Sequence, residues 1–233
     1  MTAMLYRWPA TAKFGRVVPK TKFYGRGQVT TAVKEKFVDE VQRITWAYKL
    51  AEATINLSGT KAVPELQVFQ IDAKGGDVSD VVLAAIDNAV KTPIIFEIMR
   101  GTADSQQTRM VAAHKMPGVG APKLGAYFAT SWQRVDADRV PIPTAINLPN
   151  LYAALLEPML PITKRRGEEL SEVTARLQAA RQLEREIGTL ERKLRNEAQF
   201  NRKVELRRTL KIKQGSLAEL TSQTASPVLG TRN

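Results

Sequence analysis

A stripe of leucines in the C-terminal third of the sequence restricts what this chain can fold into. Apolar residues recur at three- and four-residue steps from Leu170 to Ala180, and again from Leu183 to Leu194. The heptad frame continues further along the chain at Leu206, Leu210, Leu217 and Leu220. This spacing is typical of coiled-coil helices, and one helix over 168–220 would be about 80 Å long. Such a helix needs a partner for its apolar face.

Two partners are open for that face: the chain itself, folded back as a helical hairpin, or another chain. The segment 195–203 has Phe200 as its single large apolar residue, and the stripe slips there. A reversal near Asn196–Asn201 is therefore favoured. The sequence predicts a coiled coil or helical hairpin over 161–222 and a disordered tail over 223–233. We assign partner binding to the second stripe, which consists of Leu183, Ile187, Leu190 and Leu194.

Residues 64–98 have the pattern of a strand, a helix and a second strand. A short apolar run between Pro64 and Gly75 is typical of a strand. Ser79 precedes a segment with helical spacing, which Pro93 ends. The run 94–98 is β-branched and almost continuously apolar, as in a strand buried on both faces. This order predicts a βαβ unit with two parallel strands.

The rest of residues 1–160 is predicted to complete one core domain. The first 28 residues, interrupted by prolines and glycines, indicate a basic arm. Apolar residues at four- and three-residue steps from Val33 to Tyr48 predict a helix, and a further helix is expected over 104–116. The fold class that follows is α+β: a mixed sheet with packed helices, followed by the C-terminal helical segment.

Composition excludes several kinds of site. The chain has no cysteine and a single histidine, His114, which leaves no thiolate zinc site, no thiol nucleophile and no HExxH helix. No run of about 18 apolar residues is present, and the first dozen residues lack the apolar stretch of a secretory signal. We therefore expect a cytoplasmic protein that binds no membrane, no metal and no cofactor.

The formal net charge of +12 is concentrated at the two ends of the chain. Residues 1–28 hold six basic residues and no acidic one, and residues 161–233 hold 16 basic against nine acidic. Such a field favours a polyanion or an acidic partner. The predicted contacts to nucleic-acid phosphates are Arg16, Lys20, Lys22, Arg26, Arg202, Lys203, Arg207 and Arg208.

One enzymatic alternative fits the residue types, a metal-dependent nuclease of the restriction type. Such a site needs two carboxylates for Mg²⁺ and a lysine that assists the attacking water. Asp72 or Asp87 could be the first acid, and Glu97 and Lys115 would supply the second acid and the lysine; the set we consider is Asp87, Glu97 and Lys115. The lysine usually stands two residues after the second acid, but Met99 occupies that position. The pattern is therefore weak, and no catalytic residue is assigned with it.

Several short motifs, taken in order, resemble an uncharacterised bacterial family that is catalogued as a domain of unknown function. These motifs are 46–50, 54–57, 64–69, 86–89, 93–97 and 199–205. Genes of that family often lie beside a site-specific DNA methyltransferase and a superfamily 2 helicase, in loci that look like type III restriction or phage defence. The resemblance supplies no catalytic residues. It implies a small subunit of a DNA-directed assembly.

The function expected from the sequence is an accessory, non-catalytic subunit of a DNA methyltransferase–helicase defence complex. The basic residues would bind DNA phosphates without sequence preference, and the second leucine stripe would bind the partner subunit. The alternatives are the metal-dependent nuclease and a structural homodimer formed through the C-terminal helices.

Overall fold

A computed structural model describes residues 5–25, 29–116 and 123–222 of the chain. The described residues form nine strands: β1 (Leu5–Arg7), β2 (Lys13–Val17), β3 (Val41–Leu50), β4 (Leu66–Ala73), β5 (Ile94–Arg100), β6 (Gln107–Met116), β7 (Lys123–Ala129), β8 (Gln133–Arg134) and β9 (Arg139–Pro141). They also form seven α-helices: α1 (Thr21–Tyr24), α2 (Thr31–Glu40), α3 (Glu52–Ile55), α4 (Asp80–Ala89), α5 (Leu148–Leu156), α6 (Leu170–Asn196) and α7 (Phe200–Thr221). The chain divides into two compact units, Met1–Pro161 and Ile162–Asn233.

The first unit is built on a seven-stranded mixed sheet. Six strands run in the order β2-β3-β4-β5-β6-β7, and β8 pairs with β6. Strands β4 and β5 are parallel, with Gln67 opposite Ile94 and Asp72 opposite Met99. Helix α4 connects these two strands, so the predicted βαβ unit is confirmed, as is the α+β class. A separate parallel pair is formed by β1 and β9.

Helix α4 covers one face of this sheet because its apolar side chains recur at helical spacing. Val82, Leu83 and Ile86 are fully buried in one cluster with Phe96 and Ile98 of β5. Each such side chain contributes about 1.5–3 kcal/mol by leaving water. Successive side chains of a strand point to opposite faces. Glu97 lies between Phe96 and Ile98 in β5, and its side chain therefore points away from α4.

Helix α5 contacts β6 at an irregularity in the sheet. The register of β6 against β7 shifts between Ala113 and Lys115. The hydroxyl of Tyr152 donates to the Ala113 carbonyl at 2.6 Å and accepts from the Lys115 amide at 3.0 Å. Tyr152 thus forms hydrogen bonds with two backbone groups at the bulge. Leaving such groups unpaired inside a sheet would cost free energy.

The predicted helix from Val33 to Tyr48 is wrong in its second half. Helix α2 ends at Glu40 and strand β3 begins at the next residue. Four apolar residues of β3 at three-residue steps are buried, namely Val41, Ile44, Ala47 and Leu50. Register shifts lie between Val41 and Arg43 and between Trp46 and Tyr48. An extra residue at each irregularity resets the alternation of a strand, so the buried positions imitate a helical period.

The helix predicted over 104–116 is also wrong. Apart from one short 3₁₀ turn at Ala103–Ser105, this segment is strand β6. Residues 110–115 are all buried, because β6 lies inside the sheet and both of its faces are covered. A strand of this kind has no alternation that would distinguish it from a buried helix.

The second unit is an antiparallel helical hairpin. Helices α6 and α7 pack together, and the chain reverses over residues 197–199. Lys213 of α7 pairs with Glu186 of α6 at 2.6 Å. The half-buried leucines of α7 are those of the heptad frame, Leu206, Leu210, Leu217 and Leu220. No helix in the described part of the chain is long and apolar enough to cross a membrane.

Candidate functional site

A buried ion pair joins β6 to α4. Lys115 Nζ lies 2.7 Å from Asp87 Oδ1, and the two side chains are 3% and 2% exposed. The same ammonium group donates to the carbonyls of Asp87, Val90 and Thr92 at 2.8–2.9 Å. The hydroxyl of Tyr127 donates to Asp87 Oδ2 at 2.6 Å. Lys115 therefore binds backbone carbonyl groups at the end of α4 and in the turn that follows it.

Burial works against the charges of this pair. Desolvation raises the pKa of Asp87, and the ammonium of Lys115 and the hydroxyl of Tyr127 oppose that rise. Desolvation lowers the pKa of Lys115, and Asp87 opposes that fall. Each carboxylate oxygen and the ammonium group already have partners inside the protein. The cluster is thus arranged to hold α4 against the sheet.

Glu97 is the centre of a second buried cluster. Its side chain is fully buried. Glu97 accepts from Trp8 Nε1 at 2.8 Å, from Gln70 Nε2 at 3.0 Å and from Arg139 at 2.7 Å. Arg139 also donates to the Tyr6 carbonyl at 2.9 Å. Glu97 therefore anchors the β1–β9 pair to the central sheet.

The structure brings together two of the three residues considered for a nuclease and not the third. Lys115 and Asp87 are in contact. Glu97 lies on the opposite face of the sheet, because the side chains on either side of it pack against α4. Among the described residues, no group of three or more His, Asp or Glu side chains could hold a metal ion.

The basic residues of the arm differ in their availability to a ligand. Arg16 is exposed on the edge strand β2, with its guanidinium 5.2 Å from the centre of the Phe14 ring. Lys22 is exposed on α1. Lys20 donates to the Val41 carbonyl, and burial together with nearby Lys74 lowers its pKa. Arg26 lies outside the described residues.

The basic residues of the hairpin lie on α7. Arg202, Arg207 and Arg208 are exposed, and Lys203 is half-buried. No carboxylate in the described ranges forms an ion pair with any of these four side chains. Lys213, in contrast, is paired with Glu186. The outer surface of α7 is therefore rich in cations that no described acid neutralises.

The second leucine stripe lies on α6, the helix that packs with α7. Ile187 is buried, and Leu183, Leu190 and Leu194 are half-buried. Part of each leucine thus stays accessible in the isolated chain. Partner binding by this stripe stays a prediction.

An aromatic row crosses three strands and could not be predicted from the sequence. The rings of Phe14 and Trp46 have centroids 4.2 Å apart. Trp46 and Phe69 follow at 6.0 Å, with planes within 8° of each other. These residues are adjacent only because β2, β3 and β4 are neighbours in the sheet. Trp46 is partly buried and packs against the hydrophobic core.

Comparison with known protein families gives a match over most of the chain. The family described as a domain of unknown function (DUF4391) matches residues 7–217. No curated protein and no solved structure matches the chain.

Proposed function

The chain belongs to the DUF4391 family, and we propose that it is an accessory, non-catalytic subunit that binds DNA phosphates and a protein partner. The partner we propose is a DNA methyltransferase or helicase subunit of a bacterial, cytoplasmic, type III restriction-like defence complex. The resemblance of the sequence motifs to a family with such gene neighbours supports this context. Asp87 and Lys115 lie on one face of the sheet and Glu97 on the other, and this separation supports a non-catalytic role over a nuclease.

The α7 cations that form no ion pair with a described acid carry the DNA-binding part of the proposal. The helix holds six basic and two acidic residues. At about 100° per residue, Arg207, Arg208 and Lys211 lie within about 100° of one another around the helix axis. All three are exposed. A cluster of cations on one helix face attracts a polyanion and releases its counterions on binding.

We expect the protein to bind duplex DNA weakly and without sequence preference. The logarithm of the association constant should fall with the logarithm of salt concentration by about 0.9 per phosphate contact. Fluorescence anisotropy of a labelled duplex over a salt series measures this slope. Arg207→Gln with Arg208→Gln should reduce the slope by about 1.8 if both residues contact phosphates. The unaltered protein should leave a plasmid intact in Mg²⁺.

A matched control changes the same charge elsewhere. Arg43 and Arg134 are exposed but already paired with Asp72 and Asp136 at 2.7 Å. Arg43→Gln with Arg134→Gln should therefore leave the slope nearly unchanged. Equal losses in the two double variants, or binding that does not depend on salt, would contradict a phosphate-binding role for α7.

Exposed apolar side chains on α7 support the partner-binding part of the proposal. Phe200, Val204 and Ile212 are 73%, 49% and 62% exposed. A helix face that mixes such side chains with arginines resembles the composition of protein interfaces. A second copy of the chain is the alternative occupant.

Co-expression with the methyltransferase and helicase subunits tests the partner. Phe200→Ser with Ile212→Ser should abolish co-purification, since it removes two apolar contacts from the proposed interface. Val81→Ser is the control, because Val81 is also exposed but lies on α4. If the isolated chain is a dimer by light scattering and the double variant makes it monomeric, the occupant is a second copy and our proposal is wrong.

A further inference from the structure

A cavity of about 590 Å³ lies beside the carboxyl end of α4. Trp46 of β3 and Gln67 and Phe69 of β4 line one side of it. Residues 88–92, at the end of α4 and the turn after it, line the other side. Its volume falls within the usual range of small-molecule sites. No part of the proposed DNA or partner surfaces on α7 is included in it.

Two buried polar atoms of residues that line the cavity have no hydrogen-bond partner among the described residues. They are the indole Nε1 of Trp46, a donor, and the amide Oε1 of Gln67, an acceptor. The Gln67 side chain belongs to a residue that is only 1% exposed. Leaving such a group unpaired costs about 1–3 kcal/mol, and most buried polar groups have a partner. The pair thus points to a ligand that accepts from one atom and donates to the other.

The orientation of the Gln67 amide is fixed by its neighbours. Its Nε2 donates to Glu65 Oε1 at 2.7 Å and to Thr92 Oγ1 at 3.3 Å. The other oxygen of Glu65 lies 2.7 Å from Lys49 Nζ. A flipped amide would place its oxygen against the Glu65 carboxylate, which has no proton to donate when ionised. The free oxygen is therefore held as an acceptor.

Aromatic rings line part of the cavity. The rings of Trp46 and Phe69 are nearly parallel, at 8°, with centroids 6.0 Å apart. Phe14 lies against Trp46 on the side of the edge strand. Exposed Lys91 lines the rim. A planar ring suits these aromatic side chains, and an anionic group attached to it suits the lysine.

We propose that this cavity binds an amino-substituted nitrogen heterocycle of the adenine type. The exocyclic amine of the ligand donates to Gln67 Oε1, and a ring nitrogen accepts from Trp46 Nε1. The heterocycle belongs either to a free nucleotide or to an unstacked base of a nucleic-acid strand. The site is distinct from phosphate binding by α7, because its specificity lies in the base.

Calorimetric titration of the full chain with AMP and with IMP tests this proposal. The two nucleotides carry the same phosphate, but IMP has a carbonyl oxygen in place of the amine. That oxygen would face the Gln67 acceptor, so IMP should bind at least about tenfold more weakly than AMP. Oligo(dA) titrated into the Arg207→Gln, Arg208→Gln variant, which lacks two of the proposed phosphate contacts of α7, identifies the source: tighter binding than AMP assigns a strand, and weaker binding assigns a free nucleotide.

Substitutions that remove the two unpartnered atoms test whether AMP binds in this cavity. Gln67→Met and Trp46→Phe should each weaken AMP binding about tenfold, since each loses one hydrogen bond. Trp132→Phe is the matched aromatic control and should bind AMP normally. Arg207→Gln with Arg208→Gln should also bind AMP normally, which separates this site from DNA binding by α7. Equal affinity for AMP and IMP, or no binding of AMP and oligo(dA), would overturn the proposal.

Discussion

Lys115→Met is expected to destabilise the first unit by about 3–5 kcal/mol. The substitution keeps an unbranched apolar chain but removes the ammonium that contacts Asp87 Oδ1 and three backbone carbonyls. Among the described residues, the almost fully buried Asp87 carboxylate then keeps only the hydroxyl of Tyr127 as a partner. Urea unfolding followed by circular dichroism gives the change in the free energy of unfolding.

Two further variants separate the loss of a buried pair from a general effect of the substitution. Lys36→Met removes a half-exposed lysine paired with Glu40 and should cost less than about 1 kcal/mol. Asp87→Asn combined with Lys115→Met leaves no unpaired charge, so the double variant should be less destabilised than the two single variants added together. If Lys115→Met unfolds at the same urea concentration as the wild type, Lys115 does not hold α4 in place.

The elements that the sequence predicted correctly are those whose signals are local. The βαβ unit was found because Pro64, Gly75 and Pro93 mark its boundaries and α4 keeps a helical period of its own. Within α6, the apolar steps from Leu170 to Ala180 match a buried face. In each case the residues that decide an element lie within that element or at its ends.

The elements that the sequence misassigned depend on neighbours that are distant along the chain. Strand β3 shows buried residues every third position because of its two register shifts, which only the pairing with β4 reveals. Strand β6 shows no alternation because it is covered on both faces. The sequence does not reveal which strands lie on either side of β6 in the sheet.

The candidate sites were less predictable than the fold for the same reason. Asp87 and Lys115 were named together for a nuclease, but their contact is a buried structural pair. Glu97 was named with them and lies on the other face. The unpartnered atoms of Trp46 and Gln67 could not be predicted, because their surroundings depend on the pairing of β3 with β4 and on the position of the end of α4.

Arg176 is predicted to stabilise the base of the hairpin. Its guanidinium donates to both oxygens of Glu168 at 2.7 and 2.8 Å and to the carbonyls of Leu220 and Thr163 at 2.7 and 3.0 Å. The side chains of Arg176 and Glu168 are 6% and 10% exposed. Arg176→Met leaves a buried carboxylate and two carbonyls without this partner. The expected loss of hairpin stability is about 3 kcal/mol.

Hydrogen exchange measured by residue or by peptide locates the effect. Amides of α6 and α7 should exchange faster in Arg176→Met, whereas those of β4 and β5 should keep their protection, because the hairpin is a separate compact unit. Lys213→Met, which breaks the half-exposed pair with Glu186, is the control and should change exchange far less. A uniform increase over both units would show that they unfold together.

The pH dependence of hairpin stability gives an independent test of the same contact. The hydrogen bonds from Arg176 are the main cause that holds the pKa of Glu168 below its ordinary value. A carboxylate with a lowered folded-state pKa stabilises the fold above the unfolded-state pKa, about 4.3, and loses that contribution as the pH falls through the folded-state value. Hairpin stability should therefore decrease below about pH 4.3 in the wild type. The decrease should be smaller in Arg176→Met, and an equal decrease in both proteins would assign the acid sensitivity to other carboxylates.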